Sequence, residues 1–79
     1  MNQSKQLDFQ SLADRLRGLI IAKCNPNSCK VSNTDSSIII RGGICSMIPH
    51  MVIVLAYRFA IAHNLLMFID TENACFILH

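Results

Sequence analysis

Two segments near the end of the chain, residues 65–69 and 74–78, consist entirely of hydrophobic residues. Each has the length of a typical strand, and the polar residues 70–73 between them favour a turn. Successive side chains of a strand point to opposite faces of its sheet, so both faces of this predicted hairpin are apolar. An antiparallel sheet with one face in water would instead alternate hydrophobic and polar residues. The sequence therefore requires that something cover both faces of this hairpin.

The chain is too short to bury so much apolar surface by itself. Its 79 residues are 52% hydrophobic and 15% charged, whereas about 25% charged is usual for a domain in water. A single domain of this length buries only about 60–65% of the surface of its unfolded chain. We therefore expect a second molecule to cover the surplus, although strand limits that are wrong by a residue or two would make the surplus smaller.

The first helix is predicted to begin at Phe9, with Asp8 as its N-cap and Pro26 close after its end. Hydrophobic residues recur in this segment at helical spacing, namely at Phe9, Leu12, Ala13, Leu16, Leu19 and Ile20. Residues 1–7 are predicted to form a loose polar arm before it, and residues 1–79 are expected to be a single domain.

A β-hairpin follows, with strands at residues 29–32 and 37–41. Its second strand contains three consecutive isoleucines, a β-branched run that favours a strand. The polar residues between the two segments favour the turn, and Gly42 and Gly43 end the second strand.

The second helix is predicted over about residues 47–63. Ser46 is its expected N-cap, Pro49 falls in its first turn, and Asn64 suits its end because asparagine tolerates the left-handed conformation. With the two final strands, the element order is α-β-β-α-β-β. This order predicts an α+β fold, a two-layer sandwich with both helices on one face of a four-stranded antiparallel sheet.

The second helix supplies the predicted contact surface. It is hydrophobic nearly all round, which is typical of a helix that is covered on every side. Its most polar stripe gives the predicted partner-binding residues, which are His50, Val54, Tyr57, Arg58 and Ile61. Tyrosine and arginine are enriched among the residues that dominate binding energies. Phe59 is expected to face the sheet instead, near Val52, Leu55 and Ala62.

The cysteines are weak candidates for a metal site. Cys24 and Cys29 are the only closely spaced pair, and a zinc site would need completion by Cys45, His50 or Cys75. Structural zinc usually takes two tight pairs, whereas Cys45 and Cys75 stand alone in hydrophobic segments that suit core thiols. We expect no metal and no cofactor, with Cys24 and Cys29 left as thiols beside a turn that could oxidise together.

No catalytic apparatus is recognisable, so we expect the protein not to be an enzyme. A cysteine could pair with His50, His63 or His79, but no acidic residue is placed to orient an imidazole and no glycine-rich turn positions a nucleophile. The expected role of His50 and His63 is a partly buried or interfacial one. Gly42 and Gly43 form a turn rather than a phosphate-binding loop.

Residues 51–69 are hydrophobic enough to raise the question of a membrane span. Arg58 lies near the centre of this stretch, where a charge would cost about 2.5–3.5 kcal/mol in a bilayer, so a buried core helix is the favoured interpretation. The first residues are polar and lack the apolar core of a signal peptide. We therefore expect a cytoplasmic protein without membrane contact, and reduced cysteines there.

These expectations favour a small protein–protein interaction module, an adaptor or inhibitor that works by occupying a partner surface. Self-association as a homodimer is its simplest form. Small domains without an active site are also typical of phages and mobile elements that act on host proteins, an analogy of size alone. The alternative is a basic nucleic-acid-binding protein, since the isoelectric point is about 8.5 and Lys23, Lys30 and Arg41 could share one edge. Its net charge of only +2 and its scattered cations favour the protein partner.

Overall fold

The computed structural model describes residues 8–24, 29–43 and 48–79. Its elements are α1 (Phe9–Lys23), β1 (Cys29–Asn33), β2 (Ile38–Gly42), α2 (His50–Ala62), β3 (Met67–Asp70) and β4 (Cys75–Leu78). The strands form one antiparallel sheet in the order β1-β2-β4-β3, and both helices pack on one of its faces. The predicted α+β class and element order are confirmed. The polar arm at residues 1–7, Cys45 and the expected cap Ser46 lie outside the described residues.

The start of α1 is fixed by Asp8, as the sequence predicts. The Ser11 amide donates to Asp8 Oδ1 at 3.3 Å, and the Ser11 hydroxyl donates to Oδ2 at 2.9 Å. The buried side of the helix consists of Leu12, Ala13, Leu16 and Ile20. Arg17 also ties the helix to the sheet, because its Nη2 donates to the Val31 carbonyl of β1 at 2.7 Å.

The Asp8 cap makes the stability of the protein depend on pH. The hydrogen bonds from Ser11 hold the pKa of Asp8 below its ordinary value of 3.8. A carboxylate whose pKa is depressed by folding stabilises the fold above its unfolded pKa, and this contribution is lost as the pH falls through the lower, folded value.

We expect Asp8→Ala to lower the melting temperature at neutral pH and to reduce its fall on acidification below about pH 4. Thermal melts followed by circular dichroism at neutral and acidic pH measure both effects. Asp35 is exposed and has no hydrogen bond within the described residues, so Asp35→Ala should melt like the unchanged protein at neutral pH. Identical pH profiles for Asp8→Ala and the unchanged protein would contradict the capping role.

The end of α2 leads directly into the second hairpin. Asn64 has a φ of 61°, its amide donates to the Ile61 carbonyl at 3.2 Å, and the Leu65 amide donates to the Ala60 carbonyl at 2.7 Å. These two bonds form a Schellman motif, so the predicted left-handed role of Asn64 is confirmed. Because Leu65 closes the helix, β3 begins at Met67 and not at residue 65.

The start of α2 differs from the prediction. The helix begins at His50, and Pro49 stands just before it with φ −59° and ψ 147°, an extended conformation. Pro49 therefore precedes the first turn instead of lying within it. Proline suits this boundary because it has no amide hydrogen, so it leaves no donor without an acceptor at the start of the helix.

The core lies between the helices and one face of the sheet. Ile38 and Ile40 of β2 point to this face, and Leu78 of β4 lies directly beside Ile38. Leu16 of α1 and Val52 of α2 complete the set of largest fully buried side chains. The two helices and the middle strands of the sheet thus share a single core.

The opposite face of the sheet, called the open face below, is also hydrophobic. One row across three strands places Ile39, Ile77 and Phe68 side by side. Ile39 and Ile77 are half-buried, whereas Phe68 and Leu66 are exposed. The β3–β4 hairpin therefore carries hydrophobic residues on both faces, as its sequence predicts.

Candidate functional site

A groove of about 680 Å³ lies between α2 and the second hairpin. On the helix side of the sheet, Ile69 of β3 is 67% exposed, which shows that α2 does not cover this edge. We call this surface the α2–β3 groove; its lining residues are Ile53, Val54, Tyr57, Arg58, Ile61, Met67, Ile69 and Phe76.

Four of the five predicted partner-binding residues line this groove. Val54, Tyr57, Arg58 and Ile61 lie along one side of α2 and face the cavity. His50 is exposed at the first position of the helix and is not among the lining residues. The helical spacing used in the sequence analysis thus brings four of these side chains together and leaves one at the end of the row.

The inward side of α2 is close to the prediction. Phe59 and Val52 are buried, as expected, and Leu55 is half-buried. Ala62 is exposed, contrary to the prediction. It is the last residue of the helix, and it borders a shallow cavity between α1 and α2 instead of the sheet.

The strand side of the groove was not predicted from the sequence. Met67 and Ile69 point to the helix side of the sheet because the register sets them opposite Leu78 and Phe76. The two-residue period of a strand predicts that Met67 and Ile69 share one face. Their exposure could not be predicted from the sequence, because it depends on β3 being the outermost strand.

The groove is apolar with a single charge in its wall. Tyr57 is 58% exposed and Ile61 is 62% exposed, beside the similarly exposed Ile69. Arg58 is the only charged lining residue, and it makes no hydrogen bond or ion pair with any described residue. A hydrophobic patch with polar groups at its margin is typical of a surface that binds another macromolecule.

A second cavity, of about 460 Å³, lies at the β1 edge, and its lining includes Arg17, Lys30 and Arg41. Lys30 is directly opposite Arg41 in the β1–β2 ladder. Like charges in this position repel each other, so a bound anion would relieve the repulsion. Lys23, which the sequence analysis grouped with Lys30 and Arg41, does not line this cavity.

The described residues offer no metal site, since no three or more of their His, Cys, Asp and Glu side chains are grouped to hold an ion. Cys75 is buried at the start of β4, but it lies on the open face and outside the core shared by the helices and the sheet. Cys29 is buried at the start of β1 and belongs to that core. Two imidazoles lie against aromatic rings: His63 is 4.3 Å from Phe59, and His79 stacks on Phe68 at 4.8 Å between ring centroids.

Over residues 8–24, 29–43 and 48–79, neither helix combines the length and the hydropathy that crossing a bilayer requires.

Comparison with known proteins does not extend these observations. No family model matches this chain, and neither a curated protein nor a solved structure matches it.

Proposed function

We propose that the protein is a non-catalytic protein–protein interaction module that binds its partner through the α2–β3 groove. It would act as an adaptor or inhibitor by occupying the partner's surface. The observation that carries the proposal is the grouping of Tyr57, Ile61 and Ile69, each more than half exposed, around one apolar groove. A cytoplasmic setting and an origin in a phage or mobile element belong to the same proposal and rest on the sequence alone.

The chemistry of the groove suits a protein partner. A hydrophobic side chain seated between Ile61 and Ile69 would remove apolar surface from water on both molecules, which favours association. Tyr57 adds a hydroxyl at the margin of the groove, and its rigid ring loses little conformational freedom on binding. Arg58 has no partner in the described part of the chain, so its guanidinium is available to a carboxylate or carbonyl of the bound protein.

The expected partner therefore presents a hydrophobic segment with an acceptor beside it. We expect Ile61→Lys and Arg58→Glu to weaken partner binding by about tenfold or more, the effect of removing a residue that dominates an interface. Both side chains are exposed, so folding should be nearly unchanged. Affinity capture from the source cells, with the retained proteins identified by mass spectrometry, measures the loss.

Ile21→Lys is the matched control. Ile21 is 53% exposed on α1 and lines the cavity at the opposite edge of the sheet. This variant should retain the same proteins as the unchanged chain. Equal retention by Ile61→Lys, Ile21→Lys and the unchanged chain would contradict a role for the groove.

The second candidate function is nucleic-acid binding. The facing pair of Lys30 and Arg41, with Arg17 beside it, is the observation that favours it. Contacts to phosphates release counterions, so such binding would weaken steeply as salt increases. Binding that persists at high salt and is lost in Ile61→Lys favours the protein partner. Binding that is lost in Arg41→Glu and at high salt favours nucleic acid.

A further inference from the structure

Within residues 8–24, 29–43 and 48–79, the outer edge of β3 presents backbone groups that no strand of the sheet uses. β3 is the last strand in the sheet order. Leu66 and His79 exchange both of their backbone hydrogen bonds, at 2.7 and 2.9 Å. Such pairs alternate along an antiparallel ladder, so Phe68 also bonds to β4. The amide and carbonyl groups of Met67 and Ile69 therefore point away from the sheet.

This edge has few of the features by which proteins normally prevent strand pairing, although β3 is short and ends in Asp70. Exposed edges usually carry a charged residue, a proline or a bulge. Residues 65–69 contain neither charge nor proline, so the one charge of β3 is on its last residue, Asp70. The β3–β4 register runs without a bulge from Met67 to Asp70. Phe68, 48% exposed, extends on the open face, and Ile69 extends on the groove side. Both sides of the edge strand are thus hydrophobic.

The exposed apolar area around this edge approaches what each partner of a stable dimer buries. The exposed side chains there are Tyr57, Ile61, Leu66, Phe68 and Ile69. From their exposed fractions, they present about 450–740 Å² together, since large side chains have about 150–250 Å² each. A stable interface takes about 800 Å² from each partner. The partly exposed Val54, Met67 and Phe76 border the same surface and extend it toward that value.

We propose that two copies of this chain pair their β3 strands in antiparallel orientation about a two-fold axis at Phe68. Met67 of each copy then lies opposite Ile69 of the other. The proposal rests on the proposed function and names its partner as a second copy. The two sheets join into one continuous sheet, and the two α2–β3 grooves meet across the axis.

The positions of the free backbone groups select this register. With the axis at Phe68, both Met67–Ile69 pairs exchange two hydrogen bonds, which gives four in all. An axis at Met67 would set Ile69 opposite Leu65, whose amide is already bonded to Ala60. An axis at Ile69 would set Met67 opposite Thr71, which lies in the turn after β3. In the Met67 register each Ile69–Leu65 pair can make only one of its two hydrogen bonds, and in the Ile69 register the outer pairs fall in the turn. Only the Phe68 register completes both bonds of every pair of free residues within β3.

The side chains fit the same register on both faces. On the groove side, Met67 and Ile69 of one copy pack against Ile69 and Met67 of the other. On the open face the two Phe68 rings are direct neighbours across the axis, with Cα atoms about 4.5 Å apart in this kind of pair. Asp70 comes opposite Leu66. Its carboxylate accepts a hydrogen bond from Asn73 Nδ2 at 2.8 Å, within its own β3–β4 turn.

Sedimentation equilibrium from micromolar to millimolar concentration tests the proposal. The unchanged chain should have twice the monomer mass of 8.8 kDa. Ile69→Lys places a charge on the edge and should raise the dimer dissociation constant by about tenfold or more. Ile21→Lys makes the same change at the opposite edge and should leave the dimer intact. Circular dichroism establishes that each variant is folded.

A second variant tests the register without relying on Ile69. The Phe68 positions face each other across the axis, so Phe68→Cys should form a disulfide between copies under mild oxidation. Leu66→Cys should not, because Leu66 lies opposite Asp70. A Leu66→Cys dimer without a Phe68→Cys dimer would overturn the register.

A monomeric unchanged chain would overturn the second copy as partner, and a dimer that persists in Ile69→Lys would overturn pairing through β3. The proposed function fails separately, when groove variants retain the same proteins as the unchanged chain. A monomer whose capture of a different protein is lost in Ile61→Lys would therefore end this inference and leave the proposed function standing.

Discussion

Phe59→Ala should lower the free energy of unfolding by about 3–5 kcal/mol, the range for removing a buried aromatic ring. Phe59 is 5% exposed and belongs to the core shared by the helices and the sheet. A domain of this size has only about 4–12 kcal/mol of total stability, so the variant should lose much of it. Urea unfolding followed by circular dichroism measures the change in midpoint.

Tyr57→Ala is the matched control on the same helix. Its ring is exposed in the α2–β3 groove, so its removal should cost about 0.5 kcal/mol or less in the isolated monomer. Arg58→Glu should likewise leave folding nearly intact. If Tyr57→Ala or Arg58→Glu unfolds the protein and Phe59→Ala does not, the helix is rotated and the groove is assigned to the wrong side.

Leu16→Ala should lower the free energy of unfolding by about 2–5 kcal/mol. Leu16 is fully buried at the centre of α1, so its loss removes apolar contacts and leaves a cavity. Leu19→Ala makes the same change three residues further along the helix, at an exposed position, and should have a much smaller effect. Urea unfolding of both variants measures the difference, and equal losses would contradict the described packing of α1.

The sequence predicted best those features that local chemistry determines. Asp8 and Asn64 mark the start of α1 and the end of α2 because each satisfies backbone groups within a few residues. The uninterrupted hydrophobic runs at residues 65–69 and 74–78 likewise predicted two apolar faces. These signals need no knowledge of distant contacts.

The features that the sequence predicted poorly depend on contacts between residues that are far apart in the chain. The order of the strands leaves Ile69 at an exposed edge, and no pattern within residues 65–69 reveals that order. Helical spacing placed four residues of α2 together, whereas Met67 and Phe76 join them only because the groove forms where the helix meets the hairpin. His50 was included on helical spacing, and the groove does not extend to it.

The pairing of β2 with β4 has a consequence for how the chain folds. Each hairpin can form from neighbouring residues, but Ile38 meets Leu78 only after the chain has passed through α2 and β3. Closing such a long loop costs conformational entropy before the new contacts can stabilise the chain. Non-local pairing of this kind therefore slows folding. Until β2 pairs with β4, the backbone groups on one edge of β2, which contains Ile38 and Ile40, have no partner strand. During synthesis the nascent chain therefore carries this aggregation-prone edge until the last strand has been made.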